Sequence, residues 1–217
     1  MKLWSLGGGP SSPAYRAFDA ARNILNRNLA RYLQRYLPRD RPGAVRTLEP
    51  GSGPGFCSSL LGAVPGGPSV TILDLDAEVL ALATARDGHL AAVQGDLYCL
   101  PFRDGVFDLV FNSSTLEHLG SFGRALSEMA RVTRRGGRLF VGVPYRYGPF
   151  LPFTLVPPAH PVSVWMGKLH SRGELRAACE ACGLHVEEVR LYFFGCFLGA
   201  LLRKVSDPSA MPRGEAR

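Results

Sequence analysis

From Thr47 to Gly55 the chain reads Thr-Leu-Glu-Pro-Gly-Ser-Gly-Pro-Gly. A short apolar segment, Ala44 to Leu48, leads into it, and a segment able to start a helix, Phe56 to Leu61, follows. Glycine at alternate positions is required where a turn needs positive φ, or where a ligand approaches the backbone more closely than a Cβ permits. A buried strand breaking into such a turn and then a helix is the head of an α/β unit, which restricts the fold to that class.

The remaining chain keeps this rhythm. Val70 to Leu73 reads as a second strand ending at Asp74, Ala77 to Ala85 as a helix, Ala91 to Val93 as a third strand and Phe107 to Phe111 as a fourth. Ser121 to Thr133 reads as a helix closed by Arg134-Arg135-Gly136-Gly137, and Leu139 to Val143 as a fifth strand. A helix from Ser171 to Cys182, a strand from His185 to Leu191 and an apolar run to Leu202, taken as paired buried strands, complete the series. Such alternation calls for a parallel sheet with helices on both faces. Pro144 to Pro161 interrupts it with six prolines among Tyr145, Tyr147, Phe150 and Phe153; a long aperiodic stretch inside a compact domain is expected to be a functional cover.

With 217 residues, 46% of them hydrophobic and 20% charged, the chain can bury the core of one domain. Met1 to Leu6 lacks a secretory apolar region, and no window reaches the ~18 apolar residues of a bilayer span, so a soluble cytoplasmic protein is expected. Five scattered cysteines suit reduced thiols. Cys179-x-x-Cys182, with His185 close behind, lacks the second pair a structural zinc site uses, so no metal is expected.

The net charge of +7 is unevenly placed: +6 over residues 1–42, +2 over 203–217 and −1 between them. From about Ser12 to Leu37 a basic amphipathic helix is expected, with Phe18, Ala21, Leu25, Leu29, Leu33 and Tyr36 at helical steps and Arg16, Arg22, Arg27, Arg31 and Arg35 between them. Its arginine face reads as solvated, with a peripheral membrane contact or an RNA-contacting arm as alternatives. The chain thus divides into a basic helical extension or lid (1–42), the main domain (43–204) with a cap at about 144–170, and a flexible tail (205–217). Oligomeric state is left open.

A dinucleotide fingerprint, Gly-x-Gly-x-x-Gly, would need its third glycine where Phe56 stands. Glu49, directly before the turn, would repel a pyrophosphate but favour a ligand carrying sulfonium and ammonium charges. Downstream come Leu73-Asp74-Leu75-Asp76, Gln94-Gly95-Asp96-Leu97, Leu100-Pro101-Phe102, Phe107-Asp108-Leu109-Val110-Phe111, Leu116-Glu117-His118 and Glu128-Met129-Ala130-Arg131-Val132 with Gly136-Gly137. With the glycine turn, this ordered set resembles the class I S-adenosylmethionine-dependent methyltransferases, in their small type 11-like branch, closely over about residues 44 to 143.

The resemblance implies a Rossmann-like, doubly wound, mostly parallel seven-stranded sheet whose last strand is antiparallel, and S-adenosyl-L-methionine as cofactor. Glu49, Gly51, Ser52, Gly53 and Gly55 would form its cradle. Asp74 would accept the ribose hydroxyls, with a helix N-cap as the alternative, a role Asp76 could also fill. Leu75 would pack on the adenine. Asp96 would accept from the adenine amino group, with a turn aspartate as the alternative, and the Leu97 amide would face a ring nitrogen. Asn112 would line the methionine end, largely through backbone. Pro50 and Pro54 depart from the family pattern, each removing an amide donor.

Transfer from a sulfonium needs an acceptor lone pair held in line with the methyl carbon and sulfur, so alignment supplies much of the catalysis. Where a base is needed, His118 is the first candidate and Tyr145 a weaker one; otherwise His118 packs near the cofactor without proton transfer. The aromatic segment and Trp165 favour a small hydrophobic acceptor methylated on oxygen, nitrogen or carbon. Nucleic acid is not expected, since no RNA-binding motif is present. The alternatives are an RNA- or membrane-associated methyltransferase using the basic helix, and a non-catalytic binding module of the same fold.

Overall fold

A computed structural model of the chain describes residues 13–38, 44–152 and 166–205. Phe153, Trp165 and the tail from Pro208 lie outside the described residues. Helix α1 (Pro13–Gln34) precedes β1 (Arg46–Pro50), α2 (Phe56–Gly62), β2 (Ser69–Asp74), α3 (Ala77–Arg86), β3 (Ala91–Gln94) and β4 (Phe107–Ser113). A 3-10 turn (Leu116–His118), α4 (Phe122–Val132), β5 (Thr133–Pro144), α5 (Arg172–Ala181), β6 (Leu184–Tyr192) and β7 (Phe197–Lys204) follow.

The seven strands form one sheet in the order β3-β2-β1-β4-β5-β7-β6. β7 runs antiparallel to both neighbours, β5 and β6, and the pairs among β1 to β5 are parallel. The chain winds outward from β1 to β3, then returns to lay β4 on the other side of β1. Ligands of such sheets bind at that reversal, outside the carboxyl ends of the strands. β4 is buried from Phe107 to Asn112, as a central strand covered on both faces must be.

Local chemistry sets the element ends. Asp76 caps α3 by accepting from the Glu78 and Val79 amides. Ser171 and Glu174 form a reciprocal capping box at the start of α5. The Arg131 guanidinium donates to the carbonyls of Leu100 and Phe102 and to the carboxylates of Asp104 and Glu128, while Glu128 accepts from the Leu100 amide. The Glu-Met-Ala-Arg-Val motif therefore anchors the loop after β3 to α4.

Arg134-Arg135-Gly136-Gly137, expected to close a helix, instead lies inside β5. α4 ends where the Thr133 hydroxyl takes the Met129 carbonyl, and the strand begins at once. Gly136 has φ 73°, and a Cβ on Gly137 would stand 3.0 Å from the Asp108 carbonyl oxygen. These glycines absorb the register shift of β5 against β4 between Phe107 and Leu109.

α1 is part of the core. Leu29, Tyr32 and Leu33 pack with Cys57, Leu61, Leu109, Phe111 and Phe140. Ile24, Arg27, Asn28, Arg31 and Arg35 are exposed on its outer side. Cys179 is buried, and Cys182 sits at the C-cap of α5. Among the described residues no helix is long and apolar enough to cross a membrane.

Candidate functional site

The turn after β1 requires its glycines. Gly51, Gly53 and Gly55 have φ of 70°, 52° and 62°, a left-handed region that costs other residues roughly 1–2 kcal/mol each. A Cβ on Gly51 would meet Thr115 Cγ2 at 2.6 Å. Gly51 and Ser52 turn their amides onto the Leu73 carbonyl at 2.6 and 3.1 Å, leaving the loop open toward the carboxyl edge of the sheet. Ser52 donates its hydroxyl to the Gly53 carbonyl. Pro50 closes β1, and the Pro54 carbonyl accepts from Arg86 at 2.6 Å.

The expected cofactor residues from three strands meet at this edge. Asp74 Oδ2 accepts from the Gly53 amide at 2.8 Å and Oδ1 from the Asp76 amide at 3.1 Å. Each carboxylate oxygen keeps a second lone pair. Leu75, next along, is 63% exposed. Gln94 Nε2 donates to the Leu75 carbonyl and the Gly95 amide to the Asp74 carbonyl, which brings the Asp96-Leu97 turn alongside. Asp96 is exposed and accepts from the Tyr98 amide, the turn-aspartate geometry, while Leu97 is buried.

Asn112, expected to line the site largely through backbone, also holds the site together with its side chain. Fully buried, it donates Nδ2 to the Pro50 carbonyl at 2.6 Å across the topological reversal, and its Oδ1 has no partner. Thr115 donates to the Gly51 carbonyl at 2.9 Å. The carboxyl end of β4 is thus tied to the glycine turn at two points.

Glu49 is buried and accepts from the Ser58 hydroxyl at 2.6 Å. Burial pushes its carboxyl up to about 7, so ionisation there gains strongly from a nearby cation. It faces α2 beneath the turn.

His118 stands on the 3-10 turn with a side chain 27% exposed. Burial lowers the pKa of its imidazole and therefore favours the neutral, proton-accepting ring. Tyr145 continues from β5, pairs as a bridge with His170 and packs edge-on to Tyr147.

Two residues without an assigned role emerge here. Glu117 is buried, its Oε2 has no partner, and desolvation raises its carboxyl to about 8. Its Oε1 lies 3.9 Å from His118 Nε2, yet burial drives both groups toward their neutral forms, so they are not an ion pair at neutral pH. His170 is buried with Nε2 unpartnered, its ring tilted on Phe122. Gly167, at φ 64°, fits flat on Glu117 and His118, and the Lys168 amide donates to the Glu117 carbonyl. The motif Leu116-Glu117-His118 offered a signal for Glu117, but its isolation from partners is a tertiary property.

The carboxyl edge is also aromatic. Phe193 and Phe194 turn the β6–β7 hairpin at φ 49° and 55°, with Phe194 79% exposed. Phe193 and Phe150 pack on Phe197, and Tyr147 and Leu151 are exposed nearby in sequence to Phe150.

Residues 48–141 match a family model described as a methyltransferase domain. A demethylmenaquinone methyltransferase of Beutenbergia cavernae is 36% identical over 160 residues, 68% of this chain and 65% of that protein. A malonyl-[acyl-carrier protein] O-methyltransferase of Erwinia pyrifoliae is 36% identical over 107 residues, covering 49% of this chain and 40% of that protein. The chain therefore spans less than two thirds of the length of these curated relatives. In fold, it superimposes with a TM-score of 0.71 on the magnesium protoporphyrin IX methyltransferase of Synechocystis, solved with bound S-adenosylhomocysteine, over 91% of this chain and 90% of that one at 14% identity.

Proposed function

Because the chain belongs to the class I S-adenosylmethionine-dependent methyltransferases, we propose that it transfers a methyl group to a small, largely apolar acceptor at the carboxyl edge of the sheet. One observation carries the cofactor assignment: an exposed leucine, Leu75, stands between two carboxylates, Asp74 and Asp96, beside a turn of three left-handed glycines. That grouping offers an apolar face for a base, acceptors for ribose hydroxyls and an exocyclic amine, and a backbone cradle free of Cβ atoms. The unpartnered Asn112 Oδ1 at the topological reversal supplies a further acceptor.

On this reading Gly51, Ser52, Gly53 and Gly55 cradle S-adenosylmethionine, and Glu49 supplies negative charge beneath the turn. Asp74 holds the ribose, Leu75 the adenine face, and Asp96 with the Leu97 amide the adenine edge. The cofactor supplies an electrophilic methyl group on a cationic sulfur. The protein's task is then to align the acceptor and keep water out. His118, neutral at physiological pH, takes a proton where an oxygen or nitrogen acceptor must lose one. Tyr145 is the weaker candidate for that task. The aromatic surround of Tyr145, Tyr147, Phe150 and Phe193 supports an apolar acceptor.

Isothermal titration with S-adenosylhomocysteine tests the assignment. Binding that is lost in Asp74→Ala is expected; absence of binding at high micromolar ligand in the parent chain would leave a non-catalytic module of this fold. Incubation with methyl-labelled cofactor and cell-extract fractions, separated into lipid, small polar and nucleic-acid pools, then identifies the acceptor class. Label in the lipid pool is expected, and label confined to the small polar or nucleic-acid pool refutes the apolar reading.

A further inference from the structure

The turn after β1 is held by hydrogen bonds along its whole backbone. The amides of Gly51 and Ser52 go to the Leu73 carbonyl, that of Gly53 to Asp74 and that of Gly55 to the Ser52 carbonyl at 3.0 Å. Pro50 and Pro54 have no amide to give. The carbonyls of Pro50 and Gly51 accept from Asn112 and Thr115, that of Gly53 from the Ser52 hydroxyl and that of Gly55 from the Ser59 amide. The Pro54 carbonyl accepts from Arg86 Nη2 at 2.6 Å, and Arg86 comes from none of the strand ends that form the site.

Arg86 is the last residue of α3. That helix starts beside Asp74 at the carboxyl edge and runs back about 15 Å along the sheet, so the guanidinium reaches the turn from the side of the strands' amino ends. The same Nη2 donates to Ser59 Oγ at 3.1 Å, within α2, and the guanidinium carbon lies 4.1 Å above the Phe56 ring. One nitrogen thus bridges the turn to the helix that follows it, while the stack on Phe56 fixes the plane of the group.

The two ends of α3 therefore hold consecutive residues of the turn. At its start, Asp74 takes the amides of Asp76 and Gly53; at its end, Arg86 takes the Pro54 carbonyl. Between them, a Cβ on Gly55 would touch Ile72 and Leu90 at 3.4 Å, two members of the apolar cluster that α3 shares through Leu80 and Ala83. The peptide unit joining Pro54 to Gly55 is pinned at both ends, its carbonyl on Arg86 and its amide on Ser52. A segment with left-handed glycines at 51, 53 and 55 has many other conformations open to it. Ordering it before a ligand arrives lowers the cost of binding.

Resting on the methyltransferase reading, we propose that Arg86 is a positioning residue of the cofactor cradle. By holding the Pro54 carbonyl it keeps Gly53 to Gly55 in the shape that receives the ligand, and it fixes the first turn of α2 against them. It supplies from outside the turn a restraint that Pro54, lacking an amide, cannot supply from within. A guanidinium suits this task, because its charge-assisted bond is roughly twice as strong as a neutral one.

The test uses the full chain, at a temperature where parent and variants are folded, with S-adenosylhomocysteine as the probe. Arg86→Ala should weaken its binding about tenfold. Arg86→Lys, which keeps a charged donor without the planar stack, should recover part of the loss. Amide hydrogen exchange gives a readout that a merely structural role would not move: in Arg86→Ala the Gly55 amide should speed up at least about fivefold more than the amides of β1 and β4. Unchanged S-adenosylhomocysteine affinity in Arg86→Ala overturns the proposal. So does an equal rise in exchange at Gly55 and across the sheet, which would make Arg86 a general stabiliser of the domain. Failure of the parent chain to bind S-adenosylhomocysteine instead overturns the methyltransferase reading, and with it the positioning role.

Discussion

The Gly53 amide donates to Asp74 Oδ2 at 2.8 Å and the Asp76 amide to Oδ1 at 3.1 Å, so one carboxylate ties the turn after β1 to the start of α3 and keeps a second lone pair on each oxygen. A charge-assisted bond of this kind contributes about 1.5–3 kcal/mol. The same residue thus shapes the cradle and faces the ligand that the cradle is proposed to hold. Removing the side chain has two effects that a neutral isostere separates.

Asp74→Ala should weaken S-adenosylhomocysteine binding by about a hundredfold or more, while Asp74→Asn, which keeps an acceptor for the Gly53 amide, should lose less. Thermal melting should fall in Asp74→Ala and fall less in Asp74→Asn, whose amide oxygen still accepts from one of the two backbone amides, Gly53 or Asp76. Equal affinities for the two variants would refute the dual role.

Gly51→Ala combines a left-handed backbone with a collision at Thr115 Cγ2. The expected cost is on the order of 2–4 kcal/mol, read as a lowered denaturation midpoint, together with lost cofactor binding. Adding Thr115→Ser removes the colliding methyl and should restore part of the stability. The backbone part cannot be restored this way.

Buried carboxyls set a pH dependence. Glu117 and Glu49 titrate at about 8 and about 7 in the folded chain, against about 4.3 when unfolded. As pH rises from about 4.5 toward 8, the unfolded chain releases these protons and the folded chain retains them. Stability therefore falls across that window and levels off above it, by on the order of 3 kcal/mol per carboxyl. Thermal melts of the ligand-free chain at pH 5.5 and pH 8 should show the loss, and Glu117→Gln should shrink it by raising the midpoint at pH 8. An unchanged pH profile in that variant would mean that Glu117 is solvated.

Residues 166–170 form a strap across Glu117 and His118, with the Lys168 amide on the Glu117 carbonyl and Gly167 against both side chains, and this strap gives a separate readout. Alanine there would place its Cβ 2.8 Å from Glu117 Cγ and His118 Nδ1. Gly167→Ala is expected to shift the strap, lower kcat and move the acid limb of the pH–rate profile, while S-adenosylhomocysteine still binds as in the parent. Loss of cofactor affinity instead would place the strap's effect at the glycine turn.

Much of the fold was legible because its signals are local. The glycine spacing after β1, the apolar strands and the turn residues between them gave the α/β class, and Phe56 in place of a third glycine argued against a dinucleotide. Gly136-Gly137 misled, because the same dipeptide that ends a helix also kinks a strand, and only the partner strand, β4, decides between them. Trp165, expected over the site, falls outside the described residues.

The sequence by itself determined the chain's class and the positions where a ligand must meet bare backbone, since those needs are written in residue type and short spacing. Tertiary structure alone decided which residues became neighbours. Gly142 and Gly199 are unremarkable glycines in two strands until antiparallel pairing sets them opposite one another. The rings of Phe140 and Tyr192 then fill the space their side chains would take, and Tyr192 reaches across to Ser113. Glu117 likewise is one acid in a motif until packing strips it of water and of every partner for one oxygen. Burial and register are properties of the assembled sheet, and long-range pairing, which no short stretch of sequence encodes, creates both.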